Sequence, residues 1–365
     1  MKMKNNNKGI TLVALVITII ILLILAGITI ASLTQTGLFA AAQDAKTKTE
    51  EKTEEENTIL EEYEDAITEQ VTGKKPLKPL ETNKKYESKA ELKDANGNKI
   101  VVPAGFKIVS DATTNNATTV DQGIVIEDAT GTDTNGSQFV WIPVGDIKKA
   151  DGTTTSIALN RYSFDSNGVA TEYTSTYYIE EDKTNTTSLK NYGNTISENI
   201  NAFKTSVATN GGFYIGRYEA RQNSSGKLTT VKTDSVWNDI TQPNAATNSK
   251  NMYSTGVTSE LMNSYAWDTA TLFLQTFGEN NKYSRQNNLN TGILALNGTD
   301  NDKQCNVYDM ASNVYEWTTE TYSISALSCT YRGGNYYYSK STSYRGYYST
   351  SDSSSYFGFR PLLFL

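Results

Sequence analysis

The stretch from Arg332 to Leu365 limits the fold of this chain more than any other. Its middle, residues 335–357, runs for 23 positions without an Ala, Val, Ile, Leu or Met and holds seven Tyr and eight Ser. A protein core needs aliphatic side chains in defined rotamers, so this segment is predicted to lie on a surface. Tyr offers a large contact area with only two torsions to freeze, and Ser offers adaptable hydrogen bonding, which is typical of a binding loop.

The two ends of this stretch look like framework. Gly333 and Gly334 permit backbone angles that other residues avoid, and Phe359 with residues 362–365 indicates a buried closing strand. We therefore predict a display region, residues 332–360, pinned at both ends; a Tyr/Ser-rich loop without any ligand is the alternative. The predicted ligand contacts are Tyr336, Tyr337, Tyr338, Ser339, Ser341, Ser343, Tyr344, Tyr347, Tyr348, Ser349, Asp352, Ser354 and Tyr356.

Composition excludes several classes of function. The net charge of −7 argues against a nucleic-acid partner bound by charge. The sequence has no His, which removes Ser-His-Asp and Cys-His nucleophile systems and His-ligated zinc. Its two cysteines, Cys305 and Cys329, are too few for a four-Cys metal site. Whether they form one disulfide or stay reduced is open from the sequence.

The N-terminus combines a basic leader with a long apolar run. Lys2, Lys4 and Lys8 precede an almost wholly apolar segment from Ile10 to Leu33. About 20 apolar residues span a bilayer as a helix, and the basic leader should stay cytoplasmic. Residues 1–34 are therefore predicted to be a leader and a single transmembrane helix, with the C-terminal domain outside the cell.

Residues 8–12, Lys-Gly-Ile-Thr-Leu, resemble the type IV prepilin leader. The resemblance implies cleavage by a prepilin peptidase between Gly9 and Ile10, methylation of the new N-terminus and other pilins as partners. Pilins usually carry a Glu five residues after the cut, where this chain has Ala14. Filament assembly therefore stays open, and a plain uncleaved anchor is the alternative.

The rest of the chain divides by composition. Residues 35–72 contain many strong helix formers, no Pro, and a single Gly at position 37. This composition predicts a stalk helix. Residues 73–85, with Gly73, Pro76 and Pro79, predict a stiff linker. Residues 86–365 predict one α+β domain with strands at 99–102, 106–109, 138–144 and 211–219, and a helix from Ser259 to Phe277.

Several motifs in this domain resemble formylglycine-generating enzyme (sulfatase-modifying factor) domains, in the same order along the chain. The resemblance implies a C-type lectin-like fold with short sheets, two helices and adjacent chain ends. The motifs are Phe-Val-Trp-Ile-Pro at 139–143, Gly-Phe-Tyr-Ile-Gly-Arg-Tyr-Glu at 212–219, Tyr-Asp-Met-Ala-Ser-Asn-Val-Tyr-Glu-Trp at 308–317, Arg-Gly-Gly at 332–334 and Gly-Phe-Arg-Pro at 358–361.

The family's chemistry does not carry over in full. Its copper-binding cysteine pair lies between the Arg-Gly-Gly and Gly-Phe-Arg motifs, where this chain has no Cys, so oxidase activity is expected to be absent. The family also binds calcium near the Asn-Val-x-Glu-Trp run. Asn313 and Glu316 match those ligand types. Anchoring of the loop by hydrogen bonds from Glu316 is the alternative.

The chain also resembles the variable proteins of diversity-generating retroelements, which often end in a lectin-like domain. Mutation of Asn codons at adenine yields Tyr, Ser or Asp, the residue types that crowd 335–357. The sequence thus predicts a membrane-anchored, pilin-like adhesin or receptor for a protein or cell-surface ligand. A formylglycine-generating-type oxidase and a structural minor pilin are the alternatives.

Overall fold

The computed structural model describes residues 12–35, 38–73, 76–110, 117–180, 195–232, 235–287, 289, 291–298, 302–324 and 328–365. The predicted processing residues Gly9 and Ile10 lie outside the described residues. The chain divides into two compact units, Met1–Pro76 and Leu77–Leu365.

The first unit consists of two helices, α1 (Leu12–Gln35) and α2 (Leu38–Thr72). α2 is rich in Glu, Lys and Ala, which favour helix, and its Lys48 Nζ lies 2.8 Å from Asp44 Oδ2 one turn away. Within the part of the chain that the structure describes, no helix is both long enough and apolar enough to cross a membrane. Membrane anchoring by residues 1–34 stays a prediction.

The second unit is α+β with mostly strands, as predicted. Its helices are α3 (Ile196–Asn210), α4 (Gln242–Lys250) and α5 (Ser264–Phe277). Its strands are β1 (Lys78–Pro79), β2 (Ala90–Lys93), β3 (Lys99–Val102), β4 (Phe106–Val109), β5 (Val125–Asp128), β6 (Gln138–Pro143), β7 (Gly145–Lys148), β8 (Thr154–Ile157), β9 (Tyr162–Phe164), β10 (Ala170–Glu172), β11 (Tyr178–Ile179), β12 (Gly212–Gly216), β13 (Arg221–Gln222), β14 (Leu228–Thr229), β15 (Thr258–Leu261), β16 (Lys303–Gln304), β17 (Val307–Tyr308), β18 (Tyr315–Tyr322), β19 (Ser328–Arg332), β20 (Arg345–Ser349), β21 (Phe357–Phe359) and β22 (Pro361–Phe364).

The central sheet has the order β15-β22-β12-β6-β5-β4, with every pair antiparallel. It is buried on both faces. Val140 and Ile142 of β6 join a core with α3 and α5, whereas Phe139 and Trp141 join the core on the opposite face. A strand buried on both faces needs a continuous apolar run, which explains why 139–142 lack polar alternation. The predicted closing strand is confirmed for Pro361–Phe364 as β22, between β15 and β12, but Phe359 belongs to β21, which pairs with β18 in another sheet.

The second large sheet carries the display region. Its order is β11-β18-β19-β20, and β21 pairs in parallel with the start of β18. β20 therefore lies at the edge of this sheet, paired with β19 only.

The C-terminal residue Leu365 and Lys89 both contact Asn210, the last residue of α3. Lys89 Nζ donates to Asn210 Oδ1 at 2.8 Å, and Asn210 Nδ2 donates to the Leu365 carbonyl at 3.1 Å. The C-terminus therefore lies near Lys89, three residues after the predicted start of the domain at residue 86.

The predicted helix from Ser259 is wrong at its start. Residues 258–261 form β15, because Thr258–Leu261 pair with Phe364–Pro361 of β22. The helix α5 begins at Ser264, where Asn263 Oδ1 caps it by accepting from the Ala266 N–H at 2.8 Å. The strand pairing is a distant tertiary contact, which overrides the local helical periodicity.

Candidate functional site

Four tyrosines of the display region form a compact group, here called the tyrosine cluster: Tyr336, Tyr337, Tyr338 and Tyr356. The ring centroids of Tyr336 and Tyr356 lie 5.3 Å apart, those of Tyr337 and Tyr338 4.9 Å, and those of Tyr338 and Tyr356 5.6 Å. Tyr337 and Tyr338 are 55% and 48% exposed. The cluster therefore presents contiguous aromatic area to solvent.

A tight turn holds this cluster in place. The buried Asn335 accepts hydrogen bonds at its Oδ1 from the backbone N–H groups of Tyr337 at 2.9 Å and Tyr338 at 2.5 Å. The Tyr336 N–H donates to the Asn313 carbonyl at 2.7 Å, and the Tyr336 hydroxyl lies 3.2 Å from Ser355 Oγ. Asn side chains stabilise turns in this way, so the rings are presented by an ordered backbone.

Aromatic packing continues from the cluster onto one face of the second sheet, where Tyr315 is buried. The Tyr315 N–H donates to the Tyr356 carbonyl at 2.8 Å, and the Tyr315 ring lies 4.6 Å from Tyr331 and 6.4 Å from Tyr344. Burial raises the pKa of Tyr315 and Tyr331, which keeps their phenols protonated. Tyr348, 49% exposed, packs 5.5 Å from Phe357 on this same face.

Tyr347 lies on the other face of the sheet. Neighbouring residues of a strand point to opposite faces, and the Tyr347 ring stacks on Tyr322 at 4.0 Å with an angle of 2°. Tyr322 in turn contacts Tyr178 at 5.2 Å. The predicted contacts therefore do not share one surface: Tyr336, Tyr337, Tyr338, Tyr344, Tyr348 and Tyr356 lie on one side, and Tyr347 on the other.

The predicted polar contacts have different surroundings. Ser343 Oγ donates to the Ser284 carbonyl at 2.8 Å and lies 3.4 Å from Ser341 Oγ, which ties both to framework. Ser354 Oγ accepts from the Tyr356 N–H at 3.3 Å. Ser339 is exposed beside the tyrosine cluster, while Ser349 and Asp352 are half-buried near the end of β20.

Sequence reasoning missed the anchors inside the display region. Thr342 is buried; its hydroxyl donates to the Tyr283 carbonyl at 2.9 Å, and its carbonyl accepts from Trp267 Nε1 at 2.9 Å. Arg345 forms ion pairs with Asp268 and Glu320. The available signal was one of two Thr and the one Arg within a Tyr/Ser-rich tract that otherwise carries only Lys340 and Asp352 as charged residues.

In the ion-paired network beneath β20, Asp268, Glu320 and Arg332 are fully buried, whereas the side chains of Arg161 and Arg345 are 12% and 8% exposed. Arg332 Nη2 lies 2.5 Å from Asp268 Oδ1, and Arg161 pairs with Glu320. The Arg345 guanidinium also stacks over the Tyr173 ring at 4.2 Å. Paired buried charges of this kind fix geometry, since removal of one partner leaves an uncompensated charge.

Asn313 and Glu316, the predicted calcium ligands, are each bound to a protein group. Asn313 Nδ2 donates to Glu219 Oε2 at 2.5 Å, and Glu316 Oε1 lies 2.7 Å from Arg360 Nη2. Among the described residues no group of three or more Cys, Asp or Glu is arranged to hold a metal ion. Calcium binding stays a prediction, and the Glu316–Arg360 pair matches the alternative of a loop anchor.

Both cysteines are free thiols. Burial raises the pKa of Cys305 to about 12 and raises that of Cys329 as well. Neither free thiol is therefore ionised at neutral pH.

Comparisons with known proteins give distant structural likenesses. No known family profile matches the chain, and no curated protein matches it. PvdO from Pseudomonas aeruginosa is 13% identical over 43% of this chain and 82% of its own, with a TM-score of 0.33. CarF is 14% identical over 42% and 87%, with a TM-score of 0.31. Treponema denticola variable protein 1 is 14% identical over 64% and 98%, with a TM-score of 0.28. These likenesses are too distant to assign a function.

Proposed function

We propose that this protein binds a macromolecular ligand through the tyrosine cluster and the adjoining exposed residues of the display region. The observation that carries the proposal is the group of four contacting tyrosines, of which Tyr336, Tyr337 and Tyr338 follow Asn335 in the turn that its side chain fixes. Tyrosines with two torsions each lose little entropy on binding, and an ordered turn reduces that cost further.

The arrangement of the display region supports binding over a purely structural role. Residues that fix the fold are withdrawn from solvent, such as Thr342 and the Arg345 side chain, whereas Tyr337, Tyr338 and Ser339 are exposed. Exposed aromatic groups of this size are typical of recognition surfaces. In a structural loop, burial of the rings would have been the more stable arrangement.

The proposal is tested by removing the aromatic rings of Tyr337 and Tyr338 and measuring whether the protein still captures a ligand. Full-length protein in detergent is immobilised and exposed to surface proteins of cells from its habitat, in parallel with Tyr337→Ala/Tyr338→Ala. The matched control is Tyr177→Ala, which removes a tyrosine of similar exposure, 55%, outside the display region. We expect capture by wild type and control and about 100-fold weaker binding by the double variant. Equal capture by all three would contradict the proposal.

We further propose that the exposed positions are diversified by a retroelement. The composition of residues 335–357 supports this, as does the separation between buried anchors and exposed Tyr and Ser. The test is genomic: a near-copy of the codons for 332–360 and a reverse-transcriptase gene should lie close by. Absence of both would contradict the proposal of diversification and would not affect the proposal of ligand binding.

We also propose that the protein is a non-enzymatic, cell-surface protein with a lectin-like domain, held by its N-terminus. The basic leader and the apolar run from Ile10 support anchoring, and the Lys-Gly-Ile motif supports cleavage by a prepilin peptidase. N-terminal sequencing of protein from a membrane fraction should begin at Ile10 in methylated form. A start at Met1 would favour an uncleaved anchor, and recovery from the soluble fraction would contradict anchoring.

A further inference from the structure

A polar groove lies apart from the display region. It has a volume of about 450 Å³, within the range of small-molecule sites, and none of its lining residues belongs to residues 332–360. Three segments form it: the loop between β5 and β6, the turn between β13 and β14, and the end of α4 with the residues that follow it.

One wall of the groove is a row of threonines organised by a buried carboxylate. Asp128 is fully buried, and it accepts hydrogen bonds from the Thr130 hydroxyl at 2.6 Å, the Thr134 hydroxyl at 2.5 Å and the Tyr253 hydroxyl at 3.0 Å. Thr132 Oγ1 lies 2.9 Å from Thr130 Oγ1 and 3.0 Å from Thr134 Oγ1. Because both neighbours donate to Asp128, Thr132 donates to one of them.

This network fixes which way the hydroxyl groups point. The protons of Thr130, Thr132 and Thr134 are all used within the wall, so the oxygen lone pairs are what remains for a ligand. Asn248 adds a further acceptor at its Oδ1, while its Nδ2 donates one N–H to the Asn244 carbonyl at 2.8 Å and keeps a second N–H. The groove is therefore rich in acceptors.

The remaining lining indicates the charge and shape of a ligand. Asp133 and Lys227 contribute one charge of each sign, so the groove has no net preference for an ion. Leu228, Met252 and Tyr253 add apolar surface beside the acceptors. A ligand with many donors, no net charge and apolar C–H faces fits this combination.

We propose that this groove binds a neutral polyhydroxylated ligand, a mono- or disaccharide, whose hydroxyl groups donate to the threonine row and Asn248. The site is independent of the tyrosine cluster. The proposed binding requires no metal ion, because neutral hydroxyl and amide oxygens supply the hydrogen-bond acceptors.

The experiment is saturation-transfer NMR on the full-length protein with glucose, galactose, mannose, N-acetylglucosamine, maltose and cellobiose up to about 10 mM, where a millimolar Kd is measurable. Thr132→Val removes an exposed hydroxyl from the row without a large change in volume. Thr153→Val is the matched control, an exposed threonine in a turn outside the groove. The O-permethylated form of the bound sugar serves as a ligand of similar skeleton without donors.

We expect at least one sugar to bind wild type and Thr153→Val equally, with about 3- to 10-fold weaker binding by Thr132→Val. The permethylated sugar should not bind. Tyr337→Ala should bind the sugar as wild type does, so failure of one site is distinguishable from failure of the other. Absence of binding by every sugar, equal binding by Thr132→Val, or binding of the permethylated form would each overturn the proposal.

Discussion

Gly334 lies near the start of the display region, and the surrounding backbone leaves no room for a side chain there. A Cβ at this position would lie 2.2 Å from the Ala311 carbonyl oxygen and 2.8 Å from that of Lys340. Both are backbone atoms, so the clash cannot be relieved by rotation of a side chain. We predict that Gly334→Ala lowers the free energy of unfolding by about 3 kcal/mol, measured by urea denaturation.

The control for this prediction is Ser339→Ala, five residues further along. Ser339 is exposed, so its replacement should change stability by no more than about 0.5 kcal/mol. Equal stability of the two variants would show that the start of the display region adapts freely.

Glu260 gives the fold a dependence on pH. Burial, opposed by Lys250 and reinforced by Glu180, raises its pKa from 4.5 to about 7. The folded state therefore holds the proton more tightly than the unfolded state, and this contribution to stability is complete below pH 4.5 and lost as pH rises through 7. Glu260→Gln should be more stable than wild type at pH 8, by up to about 3 kcal/mol, and similar at pH 4.5.

Urea denaturation at the two pH values measures this difference. Glu180, whose pKa burial also raises to about 7, stays in both proteins, so the difference reports the ionisation of Glu260 together with its repulsion from Glu180. A Glu260→Gln variant with the same advantage at both pH values would mean that packing, and not ionisation, sets the effect.

At the scale of elements, Asp268 connects helix α5 to the sheet that carries the display region. Its carboxylate pairs with Arg332 of β19 and Arg345 of β20, and it accepts from the Tyr162 N–H of β9 at 3.0 Å. We predict that Asp268→Ala costs about 3–5 kcal/mol, because two buried guanidinium groups lose their partner. Hydrogen exchange should show the largest loss of protection in β20. Uniform loss across the central sheet would contradict this assignment.

The pairing of strand β20 and the faces to which its tyrosines point could not be predicted from the sequence. The apolar runs of β6, β12 and β22 were evident, because strands buried on both faces are continuous in sequence. Tyr347 and Tyr348 instead belong to a strand without aliphatic residues, and its pairing with β19 is a contact that local composition does not indicate. Their assignment to opposite faces follows only from that pairing. The tyrosine cluster was predictable as exposed, but the Asn335 turn that orders it was not.

At the scale of the whole molecule, residues 77–365 contain both sheets, and this unit is separate from the N-terminal helices. The closing strand β22 lies inside the central sheet, so the C-terminus cannot be shortened without loss of the core. We predict that a chain starting at Leu77 unfolds cooperatively, with the same urea midpoint as the full-length protein. A midpoint lower by more than about 1 M would show that the helices stabilise the domain.

The whole molecule is built so that the exposed part of the display region contributes little to folding. Tyr337, Tyr338, Ser339, Ser351 and Ser353 are all exposed, whereas the anchors between them are buried. Surface changes each cost up to about 0.5 kcal/mol, and only the coupling between the contacting rings of Tyr337 and Tyr338 departs from simple addition, so a variant with all five replaced by Asn should lose about 2.5 kcal/mol. Circular dichroism should show the same cooperative melt, a few degrees lower. Loss of that melt would mean that these side chains hold the fold together, and a surface of that kind is unsuited to repeated sequence change.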